Sequence, residues 1–362
     1  MITQPTLLLD EIKCKANIAR MQQKAQEHNV FLRPHFKTHQ SLEIGRWFKE
    51  VGVSKITVSS LAMAEYFADE WTNITVAFPV NVLEIDTIKR LSKRIQLNLL
   101  IESTETASIL LKKLEDPVNF YIKINIGNNR TGINLEDIAS IDAILKTIKK
   151  SKQLRFIGFL GHAGQTYKCR NKTEVLEVHQ EAKEKLVNLK DRYRNKYPDI
   201  IASYGDTPSC SVADDFTGLD EIRPGNFVFY DLMQQQIGVC DYKDIAVAMA
   251  CPIVSIHKDR CEIVVYGGGI HFSKDRMETK DHGTIYGQVV AVKKYGWNGI
   301  TKDMVVKGLS QEHGVIKVPE NEIGKYAIGD LLYVFPVHSC MTADLMKSYR
   351  DLSGKTIAML NG

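Results

Sequence analysis

Val118-Asn119-Phe120-Tyr121-Ile122-Lys123-Ile124-Asn125-Ile126 alternates apolar and polar residues with a period of two. That pattern marks a strand with two unlike faces. In a barrel wall one face meets the surrounding helices and the other points into the interior. Val118, Phe120, Ile122, Ile124 and Ile126 suit the helix side, which directs Lys123 and Asn125 inward near the strand's C-terminal end. Barrel enzymes keep their chemistry at that end.

Outward from this strand, short apolar runs alternate with helical patterns from residue 6 to about 235. The runs are Thr6–Leu9, Val30–His35, Lys55–Ser59, Ile74–Pro79, Ile95–Ile101, Val118–Ile126, Leu154–Gly161 and Ile200–Ser203. Between them Ile138, Ile141, Leu145 and Ile148 share one helical face, as do Val175, His179, Ala182, Leu186, Leu189 and Tyr193. About eight strand–helix repeats over this length match a (β/α)8 TIM barrel, with a doubly wound open sheet as the alternative. After residue 240 helical periodicity gives way to β-rich runs separated by Gly, such as Cys261–Tyr266 and Leu331–Phe335. The expected fold class is therefore α/β: a barrel over 6–235, then an antiparallel β domain over 236–362 joined by residues 1–5.

Composition narrows the function classes. The 362 residues hold 47 Lys plus Arg against 43 Asp plus Glu, a formal charge of +4 that supplies no concentrated basic face for nucleic acid. No apolar run approaches the roughly 18 residues of a membrane span. Met1-Ile2-Thr3-Gln4-Pro5 lacks the basic and apolar regions of a secretory signal. Seven Cys without a Cys-x-x-Cys suit reduced thiols. The expectation is a cytoplasmic protein without membrane or nucleic-acid partners.

Three groups of residues carry chemistry. Arg33-Pro34-His35-Phe36-Lys37-Thr38-His39 follows an early strand, so Lys37 projects from the barrel top, where a desolvated amine can form a Schiff base. His35 and His39 also read as a weak metal pair, or as polar core groups. Gly205-Asp206-Thr207-Pro208-Ser209 and Arg223-Pro224-Gly225-Asn226 follow the last barrel strands, where backbone N–H groups converge on phosphate in many barrels. Pro336-Val337-His338-Ser339-Cys340 spaces an imidazole and a thiol two apart. On a strand both face one way, and the donor pair suits zinc, although an isolated His-x-Cys is usually a chance core pair.

Taken together, these segments resemble the fold-type III pyridoxal-phosphate enzymes, whose barrel is of the alanine-racemase type. More narrowly, the chain resembles the D-threonine aldolase and eukaryotic-type D-serine dehydratase family over nearly its whole length. The resemblance implies that Lys37 is the Schiff-base lysine of pyridoxal 5′-phosphate. It implies that Arg130, in Asn125-Ile126-Gly127-Asn128-Asn129-Arg130-Thr131-Gly132, approaches the cofactor ring. Tyr167, in Gly161-His162-Ala163-Gly164-Gln165-Thr166-Tyr167, would lie beside the cofactor, and Thr207, Gly225 and Asn226 on its phosphate. His338 and Cys340 would bind the catalytic metal. Dehydratases of the family carry His-x-Cys and zinc, whereas aldolases typically carry His-x-Asp, so Cys340 favours dehydration. The substrate implied is a D-3-hydroxy amino acid, D-serine first, with 3-hydroxyaspartate open, and the assembly implied is a homodimer. Retro-aldol cleavage, racemisation, a non-catalytic pyridoxal-phosphate-binding protein and a metal-dependent barrel hydrolase are the rival readings.

Overall fold

A computed structural model describes residues 1–293 and 296–362. Among the described residues the chain divides into two compact units. One comprises Ala19–Lys37 and Gly45–Gly225; the other comprises Met1–Ile18, Thr38–Ile44 and Asn226–Gly362.

The first unit is a parallel barrel. Its strands run Phe31–Leu32, Ile56–Val58, Asn73–Pro79, Gln96–Ile101, Val118–Asn125, Leu154–Gly161, Ile201–Tyr204 and Glu221–Ile222. Phe31 pairs with Glu221 in parallel, and a parallel bridge from His35 to Thr57 joins the remaining ends. Phe36 N–H donates to the Thr57 carbonyl at 2.8 Å and Thr57 N–H to the Pro34 carbonyl at 2.9 Å, so the sheet closes on itself. The helices read from sequence are present. Lys172–Arg194 buries Val175, His179, Ala182, Leu186, Leu189 and Tyr193, and is capped by Asn171 accepting from Glu174 N–H. Such a cap contributes about 1 kcal/mol.

The two faces of Val118–Asn125 separate as their alternation requires. Val118, Phe120, Ile122 and Ile124 are buried, and Phe120 meets Phe156 at a ring distance of 5.7 Å. The opposite face enters a polar interior. Asn119 donates to Asn98 Oδ1 at 3.1 Å, and Tyr121 OH to Glu221 Oε1 at 2.9 Å. Glu221 also accepts from Arg33 Nε at 2.8 Å and from Ser203 Oγ at 2.5 Å. Burial opposes the Glu221 charge, but Arg33, Ser203 and Arg223 outweigh it and hold its pKa below the ordinary value. Removing one partner of such a buried pair typically costs about 3–5 kcal/mol.

Two strand assignments differ from the sequence reading. Thr6–Leu9, expected as the first barrel strand, pairs antiparallel with Val247–His257 and in parallel with Ser348–Asp351. The eighth barrel strand is instead Glu221–Ile222, too short to show a periodicity. The second unit is built on a mostly antiparallel sheet in which six strands form a ring. Val247–His257 pairs with Leu331–Pro336 along one edge and with Glu262–Tyr266 along the other. The ring continues through His313–Lys317, Gly296–Leu309 and Gly287–Lys293 back to Leu331–Pro336.

Candidate active site

Lys37 lies just beyond the bridge that closes the barrel, and its position is set by its neighbour. Phe36 is buried among Phe48, Phe67 and Trp71 at ring distances of 5.1, 5.0 and 5.2 Å. That aromatic plug fixes the backbone from which the Lys37 side chain leaves. The Lys37 side chain itself is exposed. The desolvated amine is that of Lys123. Burial pulls it down to about 7, with Arg223 and Arg130 acting in the same direction and Glu102 against it.

Cations gather at this end of the barrel. Burial lowers His35 well below its ordinary value, and Lys37, Arg223, His162 and Arg130 all push the same way. His162 falls to about 3, chiefly through burial, while its Nδ1 lies 2.6 Å from the Gly205 carbonyl. Arg223 is buried, drops to about 10 for the same reason, and spends Nη2 on the Gly161 carbonyl at 2.6 Å. Arg130 is exposed on its loop. An end of a barrel with this charge excess favours an anion.

The two turns expected to cradle phosphate meet. Gly225 N–H donates to Thr207 Oγ1 at 3.2 Å, and Thr207 N–H donates to Tyr167 OH at 3.3 Å. Three residues singled out from sequence thus form one hydrogen-bonded row. Gly205 permits the approach, because a Cβ there would lie 2.6 Å from the Arg223 nitrogen. Beneath the row, buried Asp206 accepts from Thr166 Oγ1 at 2.9 Å and Ser209 N–H at 2.7 Å, which ties the Tyr167 turn to the Thr207 turn. Backbone donors and a hydroxyl converging under excess positive charge fit a phosphate-bearing cofactor.

His338 and Cys340 converge, but not on a strand. Leu331–Pro336 ends before them; His338 caps the helix Ser339–Met346 and Cys340 lies in its first turn. The period-two argument therefore gives way to a helix start, and the reason is Asp231. Its Oδ2 accepts from Ser339 N–H at 3.0 Å and so anchors the new helix, while also facing His338 Nδ1 at 3.2 Å. Cys340 Sγ lies 3.3 Å from Thr38 Oγ1 and accepts from Asn226 Nδ2 at 3.4 Å. The Asn226 nitrogen also reaches Asp231 Oδ2 at 2.7 Å, so the carboxamide expected on phosphate is committed here. Burial opposes a charged His338, yet Cys340, Asp231 and Asp275 raise it to about 9, surroundings that favour positive charge there. Among the described residues no group of three or more His, Cys, Asp or Glu side chains could hold a metal. A two-ligand site leaves coordination positions for water or substrate.

Sequence reading passed over Asp231, Thr38, Lys123, His162 and Arg223 as site residues. Lys123 carried a signal in its inward register, and Arg223 in its place after the last barrel strand. Asp231 and Thr38 carried none, because their partners lie 107 and 302 residues away. His35 and His39 do not form a metal pair: His39 Nδ1 accepts from Ser41 N–H at 3.1 Å, and His35 Nδ1 accepts from Lys37 N–H at 3.4 Å.

Comparison with known proteins finds relatives over nearly the whole chain. D-threo-3-hydroxyaspartate dehydratase from Delftia sp. (strain HT23) is 28% identical over 96% of this chain and 94% of its own length. D-serine dehydratase from Dictyostelium discoideum is 27% identical over 97% of this chain and 93% of its own length. A structure of a D-threo-3-hydroxyaspartate dehydratase mutant in the metal-free form has a TM-score of 0.93 and 27% identity, covering 100% of this chain and 98% of that one. Residues 246–350 match a putative serine dehydratase domain, and residues 9–232 match the alanine racemase N-terminal domain. The second of these matches spans more than half of the sequence, and the chain belongs to the alanine racemase N-terminal-domain family.

Proposed function

We propose that the chain is a pyridoxal 5′-phosphate- and zinc-dependent lyase that eliminates water from D-3-hydroxy amino acids, D-serine first. The observation that carries the reading is His338 set against Asp231 and Cys340 set against Thr38 and Asn226, in a chain alike over its length to two named dehydratases. Pyridoxal phosphate on Lys37, when bound, supplies an electron sink for charge developing at the substrate Cα. The row Tyr167–Thr207–Gly225, with the backbone of Asn226, holds the phosphate. Arg130 faces the cofactor ring, and buried Arg223 keeps that end of the barrel cationic. Lys37 Nζ takes the Cα proton of the D-substrate. Zinc held by His338 and Cys340 would serve as a Lewis acid toward the β-hydroxyl leaving group.

D-Serine then yields pyruvate and ammonia, and D-threo-3-hydroxyaspartate yields oxaloacetate and ammonia. Free thiols at all seven cysteines support a reducing, cytoplasmic setting. Among the described residues no helix is long and apolar enough to cross a membrane. A homodimer is the assembly proposed. The test is a D-amino-acid panel with product identification. Keto acid plus ammonia from a D-3-hydroxy substrate supports the reading; glycine plus aldehyde supports aldol cleavage, and an L-amino acid supports racemisation.

A further inference from the structure

We infer that Asp231 and Thr38 are positioning residues for a metal on His338 and Cys340, one orienting the imidazole and the other tuning the sulfur. The inference rests on the proposed reading of that pair as a metal site. Asp231 is fully buried, and its Oδ2 is faced by Asn226 Nδ2 at 2.7 Å, Ser339 N–H at 3.0 Å, Ser339 Oγ at 3.2 Å and His338 Nδ1 at 3.2 Å. Oδ2 already accepts from Ser339 N–H and Asn226 Nδ2, so it is an acceptor toward the imidazole as well, and His338 Nδ1 donates to it. That leaves Nε2 as the nitrogen with a lone pair for a metal. A carboxylate behind a ligating imidazole fixes the ring and raises its basicity.

Thr38 acts on the other ligand. It is fully buried, and it follows Lys37 directly in the chain. Toward a metal-bound thiolate its hydroxyl can only donate across the 3.3 Å contact, alongside the Asn226 amide at 3.4 Å. Hydrogen bonds to a thiolate withdraw electron density from sulfur. The metal then receives less charge from its softer ligand and stays a stronger Lewis acid.

The experiment uses the cofactor-loaded protein stripped of metal and titrated with Zn2+ against a chromophoric chelator. A parallel titration with Co2+ follows the thiolate-to-cobalt band in difference spectra. Asp231 also caps the helix Leu232–Ile237, its Oδ1 accepting from Gln234 N–H at 3.0 Å, and Asp231→Asn keeps a good cap, since Asn serves there as well as Asp. It should weaken zinc binding by about 10–100-fold. Thr38→Val should move the thiolate-to-cobalt band to longer wavelength, and Thr38→Ser should restore it. Matched circular dichroism and melting curves separate these effects from misfolding, which moves all readouts together. Wild-type zinc affinity in Asp231→Asn overturns the role of Asp231, and an unmoved band in Thr38→Val overturns that of Thr38. In both cases metal binding by the wild type leaves the metal-site reading standing. If the wild type binds neither ion, that reading fails and this inference with it.

Discussion

At the end of the barrel Lys37, Arg130 and Arg223 act on His35, and Arg223 and Arg130 act on Lys123 with Glu102 opposing them. Around His338 in the second unit the balance is reversed, with Asp231, Cys340 and Asp275 acting on a single imidazole. Each region is built with one sign of charge in excess, and the excess says what it lacks. The barrel residues call for an anion, which a phosphate and a substrate carboxylate provide. The second set calls for a cation, which zinc would supply. Deeper in the barrel, by contrast, charge is already matched, with Glu221 shared by Arg33, Tyr121 and Ser203. That network reads as structure, and the two unbalanced regions read as sites.

The comparison breaks most decisively at Lys37. Lys37→Ala should reduce activity to background and remove the visible absorption of the lysine-bound cofactor, whereas Lys123→Ala should retain that absorption. Borohydride trapping followed by peptide mapping checks it. Cofactor fixed to Lys123 in the Lys37→Ala protein would transfer the role to the buried amine.

A second pair of variants sharpens the division between the regions. Thr207→Val should weaken cofactor retention by about tenfold, the loss of one good hydrogen bond to a charged group, without altering zinc affinity. Asn226→Ala should do the reverse, because its carboxamide nitrogen lies on Asp231 and Cys340. Equilibrium dialysis of cofactor and metal on both proteins decides. If Asn226→Ala loses cofactor and keeps zinc, the assignment of its side chain is wrong.

A further effect is expected on stability. Lys123 sits at about 7 in the folded chain against an ordinary 10.5. Between those values the unfolded chain carries a proton that the folded chain does not, so this group's contribution improves as pH rises. The penalty is full below about 7 and gone above about 10.5. Lys123→Met should therefore be more stable than the wild type at pH 7 in cofactor-free protein, with an advantage that shrinks toward pH 10.5. Urea unfolding across that range measures it, and a pH-independent difference would show that burial of the amine is not its cause.

Much of this architecture was legible in sequence, because periodicity reports which face of an element is buried. The strand Val118–Asn125 announced its two faces, and the stripe on Lys172–Arg194 announced its helix. Thr6–Leu9 misled because Thr-Leu-Leu-Leu reads alike in either sheet, and its partners Val247–Ala250 lie far along the chain. Glu221–Ile222 was invisible as a strand because two residues carry no period. In the candidate site, Lys37, Thr207 and Gly225 drew notice through the turns that follow barrel strands, and Tyr167 only through the family resemblance. His338 and Cys340 were found through their spacing, for a strand reason that the helix start replaces. Glu221, Asp231 and Thr38 were missed because a buried charge or hydroxyl is defined by distant partners that no local pattern records.

The account turns on whether the cation-seeking region takes part in the chemistry. The direct measurement is D-serine dehydration by the cofactor-loaded protein before chelation, after it, and after zinc is returned, with the metal content determined at each stage. The account predicts that chelation stops pyruvate formation, leaves the visible absorption of the Lys37-bound cofactor intact, and is reversed by zinc. Full dehydration by protein shown to be metal-free would contradict it.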